Sequence, residues 1–286
     1  MITTINRYIE EHLNIYFGED NNIMKTITSY VIENGKRVRP AISFDIYNTL
    51  GKDNLFKYTF LAIEYIHSSS LIIDDLPCMD DALTRRNNIC IHKKYGEAIA
   101  QLTTAILLSL SAHCISYEIN SLMKDNLISI DKANEITMYF LSKFSEILKT
   151  ASHGQLLDLE NSDKDIGLLL KDISSKITEI FFTVSFELPW ICVNGFKHID
   201  KIKSLSHNFS MAFQIIDDIC DIEEDLAKNK KNVNQNYALR YGIEKTVKDA
   251  NTYLNIFSEQ LIELDLNSEF FDNLIKNLRT KLSDFH

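Results

Sequence analysis

The sequence predicts an all-α fold, a single large helical bundle of about ten helices covering residues 1–286 as one domain. Three observations carry that expectation. Apolar residues recur at helical spacing through most of the chain. Only 8 Gly and 3 Pro occur among 286 residues, too few for the many turns of a sandwich or barrel. No Pro/Gly/Ser-rich linker or internal repeat divides the chain, and 45% hydrophobic residues suffice for a sizeable core. Ile is abundant and weakly favours strands, but the periodicity outweighs it.

Residues 5–17 read as an amphipathic helix. Pro40, just after Lys36-Arg37-Val38-Arg39, suits the first turn of a second helix, which Gly51 would stop. From Phe60 to Asp75, apolar or small residues recur at 62, 63, 66, 69, 70 and 73, which is helical spacing. Pro77 disfavours helix at Leu76 and should open a loop. Residues 97–121 are apolar nearly all round and predict a central helix. Further helices are expected over 133–160, 169–194 and 203–226, with Pro189 kinking or ending the one that holds it. Asp225–Asn236, rich in Lys and Asn, reads as a loop, and 242–262 and 268–283 as closing helices.

A net charge of −10 and a pI near 5.3 argue against a general nucleic-acid binder. An anionic substrate remains compatible, because local Lys, Arg or metal can reverse the field. Five cysteines, Cys78, Cys90, Cys114, Cys192 and Cys220, show no zinc-like pair and suggest reduced thiols in a cytoplasmic setting. The N-terminus lacks the apolar core of a signal peptide. Segment 102–117 is the most apolar, yet it is interrupted by Thr, Ser and His and short for a membrane span, so no stable membrane insertion is expected.

Two acidic clusters each end a long apolar stretch: Asp74-Asp75-Leu76-Pro77-Cys78-Met79-Asp80-Asp81 and Asp217-Asp218-Ile219-Cys220-Asp221. Carboxylates packed against an apolar core repel one another and lose hydration unless something neutralises them. Two such clusters suggest a deep central cavity lined from both sides, neutralised by divalent cations and suited to a diphosphate. Asp217 and Asp221, at i and i+4, share a helix face, and Asp225 extends that line. After Pro77 the chain can curl Asp80 or Asp81 back towards Asp74. Oxygen ligands without His or Cys suit Mg²⁺; a solvated helix end or a Ca²⁺-like loop is the plainer alternative. Basic residues are grouped as well: Lys36, Arg37 and Arg39 before a helix N-terminus, Arg85-Arg86, and His92-Lys93-Lys94.

With these residues in place, the chain resembles the trans-isoprenyl diphosphate synthases, the short-chain polyprenyl synthases. The matching pieces are Gly35-Lys36-Arg37-Val38-Arg39-Pro40, His67, the Asp74–Asp81 cluster, Arg85-Arg86 and His92-Lys93. They continue with Gly96-Glu97, Gly154-Gln155 with Asp158, Lys176, and Phe213-Gln214-Ile215-Ile216-Asp217-Asp218-Ile219-Cys220-Asp221, in family order over about residues 35–225. The resemblance implies the type I isoprenoid (terpenoid) synthase fold and a homodimer. It implies condensation of isopentenyl diphosphate with an allylic diphosphate, dimethylallyl, geranyl or farnesyl. Asp74 and Asp80 would hold two Mg²⁺ and Asp217 a third, with Asp75, Asp218 and Asp221 supporting. Arg85 and Lys176 would add charge to the allylic diphosphate, and Lys36, Arg39, His67 and Arg86 would bind that of isopentenyl diphosphate. On its own, His67 reads as a core histidine one turn from Ser70. Gln214 is a candidate to stabilise the allylic cation.

Ser69 and Ser70, below Asp74, would form the pocket floor that sets product length. Relatives that stop at fifteen carbons usually carry an aromatic there, so twenty carbons are slightly favoured over fifteen. Tyr65, Ile66, Phe44 or Tyr47 are alternative floors. The chain departs from the family at several points. Ala82, Leu83 and Asn87 surround the arginine pair, Thr104-Ala105 stand for a usual Gly-Asp, and Ile177 follows Lys176 where Thr is usual. The loop after Asp221 is short, with Lys228, Lys230 or Lys231 able to replace a missing lysine. Two rival readings are a non-catalytic regulatory subunit, motivated by the short loop and Ala105, and a type I terpene cyclase, opposed by Asp217-Asp218-Asp221.

Overall fold

The computed structural model describes residues 1–18, 22–52, 55–159, 166–227 and 236–285, with the side chains of 157–159, 166–177, 224, 225 and 227 outside the description. The chain is all-α, with ten helices of seven or more residues among those described. It divides into two compact units, Met1–Tyr139 and Phe140–His286, and the division falls inside a helix rather than at a linker.

The first unit opens with α1 (Ile2–Phe17), α2 (Ile23–Ile32) and α3 (Val38–Thr49). Asn22 caps α2 by accepting from the Met24 N–H at 2.8 Å. Pro40 lies in the first turn of α3, and Gly51 follows its end with φ 67°, as a helix stop requires. A 3₁₀ turn, Thr59–Leu61, leads into α4 (Ala62–Asp75). That turn is capped by Glu118, whose buried carboxylate accepts from the backbone N–H groups of Lys57, Tyr58 (2.9 Å) and Thr59 (2.7 Å). Burial lifts this carboxyl to about 7, while the same N–H groups pull it down. α4 ends where Pro77 requires it, with Leu76 extended at ψ 152°. A two-residue hairpin follows, β1 (Thr84–Arg85) against β2 (Asn88–Ile89), then α5 (Ile91–Tyr95) and α6 (Glu97–Lys124). Phe60 packs edge to face against Tyr8 and Phe44, which tilt against each other, and Tyr47 stacks on Phe56.

The prediction for residues 97–121 needs two corrections. α6 is not enclosed: one side is buried through Leu107, Leu110, Cys114 and Ile119, while Leu102 is 62% exposed. It is also longer than its apolar centre suggested and, at 28 residues, is long and apolar enough by composition to cross a bilayer. Its packing against α4 and α5 accounts for the apolar side.

α7 (Ile130–Leu159) carries the division. The second unit continues with α8 (Ile166–Asn194), α9 (Ile199–Cys220), α10 (Ile222–Ala227), α11 (Tyr237–Tyr241), α12 (Ile243–Glu263) and α13 (Glu269–Ser283). α9 packs on α8 and α12 through Phe182, Phe186, Phe209 and Phe257, and Phe271 of α13 packs on Phe186 and Phe257. Pro189 does not end α8, which runs on to Asn194. Its missing N–H removes the intrahelical donor for the Ser185 carbonyl, and tertiary packing tolerates that. The helix expected over 203–226 is interrupted at Asp221, and helix resumes to Ala227 within the segment expected to be a loop. None of the five cysteines is bridged.

Candidate active site

The first acidic cluster is assembled by the end of α4. Asp74 is half-buried, Asp75 buried and Asp80 exposed. Beyond Pro77 the chain turns back, so that the Asp80 N–H donates to the Asp74 carbonyl at 3.0 Å. The expected curl is present, and it brings two carboxylates into one turn. Asp81, at φ 48°, accepts from Lys93 at 2.7 Å.

Helical geometry separates the polar residues of α4 into two faces. At 100° per residue, Glu64, Ser68 and Asp75 fall within about 40° of one another. His67, Ser70 and Asp74 fall within about 60° on another face. On that second face the Arg39 guanidinium donates to His67 Nε2 at 3.3 Å. Burial, then the neighbouring Arg39 and the arginine pair, push the His67 pKa well below its ordinary value. The ring is therefore neutral, and because arginine cannot accept, Nδ1 carries the proton. Lys36 is exposed just ahead of α3. The Ser70 hydroxyl donates to the His67 carbonyl at 2.9 Å. Ser69 is buried, about 140° round from Asp74, and donates to the Ile66 carbonyl at 2.7 Å.

The arginine pair serves the first face. Residues 86 and 87 form the two-residue turn of the hairpin, with φ 53° at Arg86 and 64° at Asn87. That is a type I′ pattern, in which Asn is the best substitute for Gly. Asn87, one of the family departures, thus keeps the turn. Arg85 donates from Nε (2.9 Å) and Nη2 (2.6 Å) to Asp75 Oδ1. Asp75 also faces the Cys90 thiol, which burial and then this carboxylate push up to about 12. Asp75, expected to support a metal, is here the partner of Arg85. Arg86 reaches Glu64 Oε1 and Ser68 Oγ, each at 3.4 Å. Arg37 caps α3 in the left-handed region (φ 56°) and turns inward, to Glu64 Oε1 at 2.8 Å and Asn6 Oδ1 at 2.9 Å. Glu64 was missed from sequence. Its signal was an isolated carboxylate in an apolar run, three residues before His67.

The second cluster belongs to the second unit. Asp217 and Asp218 lie in the last turn of α9, with Gln214, half-buried, one turn earlier. Asp221 caps the helix, its N–H bonded to the Asp217 carbonyl at 3.0 Å, so it follows Asp217 by one turn as predicted. Asp218 Oδ2 accepts from the Tyr237 N–H at 2.7 Å, and Asn236 bonds the Asp218 carbonyl while capping α11. This ties α11 to the cluster and accounts for the Asn236-Tyr237-Ala238 sequence. Lys281 of α13 lies 3.7 Å from Asp217 Oδ1, a neighbour that no local pattern announced. The side chains of Lys176, Asp158, Ile177 and Asp225, and all of Lys228, Lys230 and Lys231, lie outside the described residues.

Among the described residues, no three His, Cys, Asp or Glu groups form a complete metal site. Asp74 and Asp80 offer two hard oxygen donors from one turn. That set fits Mg²⁺, which takes one or two carboxylates and completes its shell with water and phosphate oxygens.

The geranyltranstransferase of Thermotoga maritima has the same fold, with a TM-score of 0.76 at 24% identity over 99% of this chain and 98% of that one. Fold and helix-end aspartates together define an all-α protein of the isoprenoid synthase class. The polyprenyl synthetase family model matches residues 21–239. The farnesyl diphosphate synthase of Buchnera aphidicola subsp. Acyrthosiphon pisum is 34% identical over 256 residues, covering 85% of this chain and 86% of that protein. The trans-prenyltransferase of African swine fever virus (isolate Pig/Kenya/KEN-50/1950) is 27% identical over 284 residues, covering 96% and 80%. The chain belongs to the polyprenyl synthetase family and is a short-chain trans-prenyltransferase.

Proposed function

We propose that the chain is a Mg²⁺-dependent synthase that condenses isopentenyl diphosphate with an allylic diphosphate. The product would be a trans-prenyl diphosphate of fifteen or twenty carbons, twenty being favoured. The observation that carries this reading is the single face of α4 that presents His67, Ser70 and Asp74 in succession, with Arg39 held on His67. Such a face offers cationic and N–H donors at one level, a small side chain at the next and a carboxylate at the helix end.

In this reading Asp74 and Asp80 would hold two ions and Asp217 a third, with Asp75, Asp218 and Asp221 supporting. When bound, Mg²⁺ withdraws charge from the leaving diphosphate. The chain's own residues bind and orient. Lys36, Arg39 and Arg86 supply positive charge to the diphosphate of isopentenyl diphosphate, and neutral His67 offers its Nδ1–H. Arg85 and Lys176 serve the allylic diphosphate. As the allylic C–O bond breaks, Gln214 offers a polar group to the cation in a water-poor setting. The isopentenyl double bond then forms the new C–C bond. No side chain stands out as the base, so the proton lost from carbon goes to the released diphosphate. Ser69 and Ser70 support the longer product because neither carries an aromatic ring. Homodimerisation, on family grounds, and cytoplasmic operation, from the cysteine pattern of the sequence, belong to the same proposal.

The test is to incubate purified protein with isopentenyl diphosphate, Mg²⁺ and each allylic diphosphate in turn, and to separate products by length. Elongation to twenty carbons supports the full reading, and elongation to fifteen corrects only the floor. Binding without turnover would favour a regulatory subunit, and a cyclic hydrocarbon a cyclase.

A further inference from the structure

We propose that Glu64 is a positioning residue for the isopentenyl diphosphate site, acting through Arg86. This rests on the reading above that Lys36, Arg39 and Arg86 bind that diphosphate. Glu64 lies in α4, fully surrounded, with 2% of its surface exposed. A buried carboxylate needs compensating partners, and one of its oxygens has two. Oε1 accepts from Arg37 Nη1 at 2.8 Å and pairs with Arg86 Nη2 at 3.4 Å. The two arginines come from different segments, one from the turn into α3 and the other from the tip of the hairpin. Glu64 therefore joins the segment that bears Lys36 and Arg39, at the entry to α3, to the turn that bears Arg86.

Gly35 shows how tightly this junction is closed. A Cβ at residue 35 would lie 2.2 Å from Arg37 Nη1, and 2.9 Å from both Arg86 Nη1 and Glu64 Oε1. Both guanidiniums and the carboxylate thus converge on one point, and the missing side chain leaves room for them. Ser68, one turn along the same face of α4, supports the other nitrogen of Arg86 at 3.4 Å. Two guanidiniums this close repel one another unless the shared carboxylate stands between them. With Glu64 neutralised, Arg86, the less buried of the two at 15% side-chain exposure, is the group free to swing away.

Glu64→Gln keeps the shape and removes the charge. We expect it to raise KM for isopentenyl diphosphate about tenfold, the scale of one misplaced charged contact. KM for the allylic substrate should stay within about twofold. Ser68→Ala, which removes only the second support of Arg86, should shift the same KM in the same direction by less, and it guards against a Glu64 variant that does not fold. The Glu64→Gln effect should largely vanish in an Arg86→Ala background, because the contact it positions is already gone. Equal rises in both KM values, or additive effects of Glu64→Gln and Arg86→Ala, would overturn the proposal and leave Glu64 as a structural ion partner. If the wild-type protein does not elongate at all, the functional reading fails separately. Equilibrium binding of inorganic diphosphate to wild type, Arg86→Ala, Glu64→Gln and Ser68→Ala then decides: weaker binding in all three variants supports the positioning role, and unchanged binding in any of the three contradicts it.

Discussion

Asp75 and Arg85 show how a buried motif residue is held by its surroundings. Asp75 is buried, and two nitrogens of Arg85 converge on one of its oxygens. Removing the arginine strands a desolvated anion. Because the Arg85 side chain is 40% exposed, the loss falls below that of a fully buried pair. We expect Arg85→Ala to cost about 2–3 kcal/mol by chemical denaturation, against roughly 3–5 for a fully enclosed pair. Gly35→Ala belongs to the same scale. Its Cβ would displace the Arg37 guanidinium, so lost stability is expected, with a higher KM for isopentenyl diphosphate measured alongside. Sequence located Asp75 and the arginine pair but not Glu64, nor which carboxylate each arginine meets. Arg85 and Arg86 are adjacent in the chain, yet the hairpin turn sends one to Asp75 and the other to Glu64.

At the scale of elements, α4 concentrates the chemistry. Its two polar faces were implicit in the sequence, since 3.6-residue periodicity places Ser70 near Asp74 and Ser69 well away from it. This sharpens the expectation for product length. Ser70→Phe should shorten the product, whereas Ser69→Tyr, at a buried position bonded to Ile66, should chiefly destabilise the helix. Product length and melting temperature of the two variants check this, and a shorter product from Ser69→Tyr alone would assign the floor to Ser69. Helices with a long apolar pattern were legible: α1, α4, α9, α12 and α13 lie within a few residues of their expected spans, apart from the break at Asp221. Short elements were not. The hairpin has strands of two residues, and α5 and α11 have five each, too short to establish a period. α2, ten residues between the Asn22 cap and Gly35, was not anticipated. Pro189 was expected to bend or stop a helix that packing against α9 carries through.

At the scale of the molecule, a buried histidine makes stability depend on pH. His12 of α1 is fully buried, with Nδ1 2.9 Å from the Tyr65 hydroxyl and Nε2 3.0 Å from His113 Nδ1, beside Tyr58. Burial, and then His113, lower its pKa to about 3. An unfolded chain protonates this ring near 6.5 and the folded one does not. The contribution is thus complete above about pH 6.5 and declines by roughly 1.4 kcal/mol per pH unit as pH falls towards 3. Denaturation at pH 7 and pH 5 should show wild type losing about 2 kcal/mol more than His12→Gln, whose amide can still bond Tyr65. Equal losses would mean that His12 takes up its proton in the folded state.

The central proposal is a Mg²⁺-dependent condensation that requires both Asp74 and Asp217. It is tested most directly by incorporation of labelled isopentenyl diphosphate by wild type, Asp74→Asn and Asp217→Asn, with melting temperatures measured in parallel. The account predicts Mg²⁺-dependent elongation by wild type and a loss of at least about a thousandfold in each folded variant. Wild-type rates retained by either variant would contradict it.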